Sequence, residues 1–298
     1  VDTLRWAGAW TALGIPSPPL RIGEAACTGP THAFVFGGFD NNLFSALGDF
    51  WSWNGAVWTN IVTANAPSAR FDVEMAFDWG RGEVVLFGGA TGSAAVSNET
   101  WVFDGTNWNL RLPATSPPAR SGQAMTYDFG RGQVILFGGG SATGGGLADT
   151  WAWDGTNWSM IASSVTPNGV APMLAWDASR QAATLVTWQS ALGFLTPIQA
   201  WTLSGQGWTP VGLGVTGLRW PLGPDGIAGF PYAKGLLLAD SRNLYSLSVG
   251  QAELEHYGSS CTPGATDLTA GEWPRLGAAS FGIDVVRAEL RRLQESLL

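Results

Sequence analysis

Arg21, Arg70 and Arg120 stand at nearly equal intervals, each just ahead of an apolar stretch. Guanidinium groups gathered in this way hold carboxylates or sulfates by paired hydrogen bonds, and an acidic glycan is the natural ligand for such a ring. Recurrence also supports a second use, in which each arginine bonds carbonyl oxygens between adjacent units of one fold. The series breaks at Val170, and Arg219 joins it only with a shifted alignment. A second recurring set is Asp-x-x-Arg: Asp78 with Arg81, Asp128 with Arg131 and Asp177 with Arg180. Acid and base side by side suggest proton transfer. A group that returns once per unit at the same place is better read as a clamp, because an active site occurs once. A third set, Asp40, Asn41 and Asn42, is a polar cluster suited to sugar hydroxyls or to forming a turn.

The elements that position these residues follow from a fixed interval. Trp51, Trp101, Trp151 and Trp201 are spaced evenly, and so are Trp58, Trp108, Trp158 and Trp208. A pair of tryptophans kept in register over four copies marks one structural position in a repeated unit. Full units cover 21–61, 70–112, 120–162 and 171–211, and a worn fifth covers 219–257. Residues 2–13 align with the end of a unit and supply only its last two strands. Within the third unit, 123–127 reads as a first strand, 128–132 as a turn rich in residues tolerant of positive φ, and 133–137 as an apolar second strand. A loop leads to a third strand at 150–153, an Asp-Gly hairpin and a fourth strand at 157–161. Loops between second and third strands, at 39–48, 90–98, 140–148 and 189–198, differ from unit to unit, and variable loops on a repeating scaffold are where recognition resides.

Composition agrees with many short strands and tight turns. There are 41 Gly, 17 Pro and 17 Trp, and only 13% of residues are charged. A net charge of −8, with 15 Lys and Arg in all, argues against nucleic acid as a partner. No apolar run is long enough to span a bilayer. The chain begins at Val1 with no charged-then-apolar leader, so the expectation is a mature form or a fragment with no signal sequence in this chain. Cys27 and Cys261 either form one disulfide or remain two thiols. No Ser-His-Asp order, zinc spacing or phosphate loop is present, and neither a metal nor a cofactor is expected.

Gly37-Gly38, Gly88-Gly89 and Gly138-Gly139 after the second strand, with paired tryptophans behind them, resemble the Kelch family of β-propellers. The R-x4-M-x-[YF]-D-x2-R, LFGG and W-x2-D-G-x2-W patterns are similar to its bacterial variety, and the resemblance covers about 1–258. It implies an all-β propeller of four-stranded blades, with six positions around the axis, or five if the N-terminal half blade is not completed. The stretch 257–277 resembles a short β module of exported bacterial proteins, which implies an extracellular or cell-surface location. Beyond it, 284–298 carries helical periodicity with Asp284 as N-cap, so 259–298 is expected to be a β extension followed by a helix.

The family hosts unrelated activities. A galactose-oxidase-like copper site needs clustered histidines and tyrosines, and His32 and His256 do not cluster. An epimerase- or lyase-like carbohydrate-active site at the channel mouth needs only acid and base groups, for which Glu24, Glu74 and Glu99 are the available choices. The expectation that weighs most is a secreted binding or scaffold module, not an enzyme, that recognises carbohydrate or a protein partner through its loops and through Arg21, Arg70, Arg120, Asp40, Asn41 and Asn42.

Overall fold

The computed structural model describes residues 14–92, 95–178, 180–188, 190–191, 194–195, 199–205 and 207–211, together with the backbone of the outlying strands named below. All of it is β structure and its turns, and among the described residues no helix is long and apolar enough to cross a membrane.

Each unit folds into an antiparallel sheet of four strands in chain order, consistent with a propeller-like blade. The first comprises Ala25–Thr28, Ala33–Phe36, Phe50–Trp53 and Trp58–Asn60. The second comprises Glu74–Asp78, Glu83–Phe87, Thr100–Phe103 and Trp108–Arg111, and the third Ala124–Asp128, Gln133–Phe137, Thr150–Trp153 and Trp158–Met160. The fourth has Val170–Asp177, Ala182–Trp188, Gln199–Ser204 and Gly207–Val211. A fifth four-stranded sheet follows from Gly226–Gly229, Leu236–Ala239, Asn243–Leu247 and Leu254–Ser259, and Leu4–Trp6 pairs with Trp10–Ala12 as a separate hairpin. The expected helix at 284–298, Cys261 and His256's surroundings lie outside the described side chains.

The second strands form because both of their faces are covered: Val84, Val85, Leu86 and Phe87 are all buried, as are Val134, Ile135, Leu136 and Phe137. Third and fourth strands meet across the Asp-Gly turn. Asp104 Oδ1 accepts from the Thr106 and Asn107 amides, Asp154 repeats this with Thr156 and Asn157, and Asn54 does so with Ala56 and Val57. The glycine of this turn sits at φ 95° in Gly105 and 96° in Gly155, a left-handed conformation that favours a residue without a side chain.

The core lies between sheets rather than within one. Phe36 and Phe50 of the first sheet pack with Met75, Leu86, Phe103 and Trp108 of the second. Val85 and Phe87 of the second join Leu136, Trp151, Trp153 and Trp158 of the third. Ile135 and Phe137 of the third join Leu185, Trp201 and Trp208 of the fourth. The repeated tryptophans are therefore core side chains. Trp58 is 8% exposed, Trp108 0%, Trp158 1% and Trp208 3%, which leaves none of these rings free to stack on a ligand.

In the third and fourth units the second tryptophan of the pair also ties its sheet to the sheet before it. Trp158 Nε1–H donates to Thr100 Oγ1 at 2.9 Å, and Trp208 Nε1–H to Thr150 Oγ1 at 2.7 Å. The position that would serve Trp108 is Phe50, so Trp108 Nε1 is buried without a hydrogen-bond partner among the described residues, and its ring packs against the Phe50 ring at 4.9 Å. Substituting Thr150 by valine, which keeps the shape and removes the acceptor, is expected to lower unfolding free energy by about 1 to 3 kcal/mol, because a buried donor is then orphaned. Urea titration measures it.

First strands of consecutive sheets lie side by side, so the sheets follow one another about their first-strand edges. Just ahead of these strands, Asp72 N–H donates to Gly23 O at 2.7 Å and Gly122 N–H to Asp72 O at 2.8 Å, linking three units head to tail. All three residues are left-handed, and in the fourth unit Ala171, near the start of the first strand, has φ 47°. Alanine is strained there where Gly23 and Gly122 are not, so Ala171→Gly is expected to raise stability by about 1 kcal/mol, read as a higher melting temperature.

Candidate functional site

Where the four-stranded sheets join, the three recurring arginines are fully committed. Arg120 donates Nη1–H to Asp149 Oδ1 at 2.7 Å and Nη2–H to Asp149 Oδ2 at 2.8 Å; a second Nη1–H goes to Gly138 O at 2.9 Å, and Nε–H goes to Pro118 O at 3.0 Å. Arg21 repeats the arrangement with Asp49, Gly37 O and Pro19 O. Arg70 uses Glu99 Oε2, Gly88 O, Ser68 O and the Ser68 hydroxyl. Each guanidinium thus spends most of its five donors inside the chain. The three side chains are 0 to 1% exposed, so they form internal clamps rather than a ring open to solvent.

The glycine pair is the other half of this clamp. The carbonyl of Arg70 accepts from Gly38 N–H of the preceding unit at 2.9 Å, and that of Arg120 from Gly89 N–H at 3.0 Å. A Cβ on Gly37 would lie 2.5 Å from Arg70 O, and one on Gly88 2.6 Å from Arg120 O. The acids are held in turn by the first tryptophan of each pair: Trp151 Nε1–H donates to Asp149 Oδ2 at 2.7 Å and Trp101 Nε1–H to Glu99 Oε2 at 3.0 Å.

No protein-family model matches the chain, and neither does any curated protein. The fourth unit, in which the clamp is dismantled, shows how its parts depend on one another. Val170 stands where the arginine would, Thr187 in place of the first glycine and Gln199 in place of the acid. Thr187 Oγ1 donates to Asn168 O at 2.6 Å, the carbonyl equivalent to the Pro19 and Pro118 carbonyls that Arg21 and Arg120 use. Gln199 Oε1 and Trp201 Nε1 are left buried without a hydrogen-bond partner among the described residues. Arginine, acid and glycine are all replaced at this junction, which fits a clamp whose parts depend on one another, since an unpaired buried charge is far costlier than a neutral replacement.

Burial raises the carboxyl pKa of Asp149, but the Arg120 fork, the Trp151 N–H and the guanidinium charge outweigh it and hold the group below its ordinary value. Asp49 is lowered against the same burial by Arg21 and Trp51. A carboxyl depressed in the folded state stabilises above its unfolded pKa, and that contribution is lost as pH falls through the folded value. Urea midpoints are accordingly expected to hold steady toward neutral pH and to fall below about pH 4. Arg120→Met, which lacks the fork, is expected to flatten this decline.

The Asp-x-x-Arg sets are clamps as well. Asp78, Asp128 and Asp177 are buried, and each accepts from its arginine through Oδ2, at 2.8, 2.8 and 2.6 Å. Their Oδ1 atoms accept the arginine backbone N–H, which closes the turn. Arg131 reaches on to Ser204 O in the next sheet, and the Arg81 side chain lies against Gly155 of the sheet beyond its own.

The remaining residues singled out in the sequence are dispersed. Glu24 is buried, Glu74 half-buried on the second sheet's first strand, and Glu99 lies in the Arg70 clamp. His32 Nδ1 contacts the Thr31 hydroxyl at 2.9 Å, and its ring stacks on Phe34. Cys27 has no disulfide partner among the described residues, and its thiol pKa is pushed up by burial and by Glu74. Among the described residues, no three His, Cys, Asp or Glu side chains converge as metal ligands.

Asp40, Asn41 and Asn42 come together at the tip of the first variable loop. Phe39–Asp40 pairs with Ser45–Ala46 as a small hairpin, anchored by Leu47 N–H to Gly38 O at 2.7 Å. Asp40 is buried and accepts from the Asn42 amide at 2.7 Å and the Leu43 amide at 3.1 Å, so it builds the turn. Asn41 and Asn42 are exposed. Beside them the tip presents Leu43, 70% exposed, and Phe44, 82% exposed. Sequence reasoning passed over Phe44; the signal was two apolar residues following two asparagines, in a loop whose counterparts in the second and third units carry mostly small residues.

Proposed function

We propose that this chain is an exported Kelch-like propeller module that binds carbohydrate or a protein partner through the loops joining second and third strands. One observation carries the reading: the charged groups of the repeat are consumed in joining strands and sheets, while the loops that do not repeat present free side chains to solvent. A rigid scaffold with variable loops on one rim is how recognition surfaces are built. The Kelch-like glycine pair and paired tryptophans, and the tail's likeness to exported bacterial modules, supply the finer parts of the reading, six or five positions around an axis and a place outside the cell.

A printed array of neutral and acidic oligosaccharides tests it, with the wild-type chain set beside a variant whose tips at 41–44 and 141–145 are replaced by glycine and serine. The expected result is selective retention that the variant loses while its melting curve is unchanged. Equal retention by both proteins, or chemical turnover of a retained sugar, overturns it.

A further inference from the structure

We infer that the Asn41–Phe44 tip is a contact site for a neutral, pyranose-containing glycan; this rests on the binding reading above and narrows it to one loop and one ligand class. Phe44 is the first ground. Its backbone is left-handed, φ 48°, a conformation strained for a bulky side chain. In the third unit's loop the left-handed place is taken by Gly144, φ 81°. A turn of this kind therefore needs no phenylalanine, and strain kept at an exposed aromatic side chain points to a role for that side chain outside the fold. That side chain is 82% exposed and makes no ring contact among the described residues with Phe39, whose own ring packs on Phe71 at 5.3 Å.

The second ground is the company it keeps. Asn41 and Asn42 are exposed, and only the Asn42 backbone is engaged in the turn. Each side-chain amide offers two donors and an acceptor, the complement that vicinal hydroxyls need. An aromatic face for sugar C–H groups, with amides beside it to fix orientation, is the minimal arrangement for a pyranose. Charge decides the kind of glycan. The one charged residue of the loop, Asp40, is buried in the turn, and the nearest clamp arginine, Arg21, is sealed against Asp49. An uncharged tip has nothing to hold a uronate or sulfate, and it lacks the basic residues that would draw it to an anionic lipid surface.

Phe44→Gly separates the two demands on the residue, because it relieves the backbone strain and removes the aromatic face. On an array of neutral and uronate-bearing oligosaccharides, the wild type is expected to retain neutral glycans. Phe44→Gly is expected to melt no lower than wild type yet bind the same glycans about tenfold more weakly or worse, and Phe44→Trp to keep binding. Asn41→Ala and Asn42→Ala are each expected to weaken retention. Neutral glycan binding that survives Phe44→Gly overturns this site and leaves the loop reading standing. Retention of acidic glycans only overturns the ligand class. If no glycan is retained and a purified protein partner proves to need Phe44, the tip is a protein contact and the glycan assignment fails.

Discussion

Arg120→Ala is expected to lower the unfolding free energy by about 3 kcal/mol, toward the low end of what breaking a buried ion pair costs. The figure follows from what the substitution leaves behind. Asp149 loses both arms of its fork, and the Gly138 and Pro118 carbonyls lose their donor. The Asp149 side chain is 25% exposed, and water reaching it moderates the loss. Lysine should recover only part of it, since one ammonium cannot span two carboxylate oxygens and two carbonyls in the geometry of a planar fork. Urea unfolding of wild type, Arg120→Ala and Arg120→Lys reads the difference. Midpoints within error of one another would mean that the arginine is not a clamp. The paired substitution Arg120→Val with Asp149→Gln mimics the fourth unit and should cost less than Arg120→Ala alone, because no charge is left uncompensated.

Gly88→Ala is expected to be about as damaging, at about 3 kcal/mol: roughly 1 for a left-handed alanine and the rest for overlap in a packed junction. The new Cβ would sit 2.6 Å from the carbonyl oxygen of Arg120, which is backbone and cannot swing aside. Gly105→Ala is the control. It has φ 95° and nothing within 4 Å of the added carbon, so only the conformational part, about 1 kcal/mol, should appear. A Gly105 variant as unstable as the Gly88 variant would show that φ alone explains the recurring glycine pair and that the Arg120 carbonyl contact is irrelevant.

The repeat was legible because its constraints are periodic. Two tryptophans per unit, a glycine pair and an Asp-Gly turn each answer to a position in the sheet, and the strands Glu83–Phe87 and Gln133–Phe137 announced themselves by the apolar runs 84–87 and 134–137. The clamp reading of Asp78 with Arg81 also came from recurrence. What was not legible was the partner of each arginine. Asp49, Glu99 and Asp149 lie 28 or 29 residues beyond their arginines, across two strands and a loop of variable content, and no local pattern joins them. The fixed offset of two residues before the first tryptophan was the available signal, and it gains meaning only with the indole N–H to carboxylate bond in view. Phe44 escaped for the opposite reason. It belongs to no repeat, and an exposed side chain on a left-handed backbone is invisible until the turn geometry is known. The expected six or five positions, the helix at 284–298 and the pairing of Cys27 with Cys261 involve residues outside those described.

Exchange of the arginine Nε–H protons, followed by NMR, tests most directly whether the recurring arginines belong to the fold or to a binding surface. The Nε–H groups of Arg21, Arg70 and Arg120 each donate to a backbone carbonyl beneath a buried guanidinium, so three strongly protected signals are expected, each removed by substitution of its own residue. Exchange as fast as that of a solvent-exposed arginine at all three positions would contradict the account.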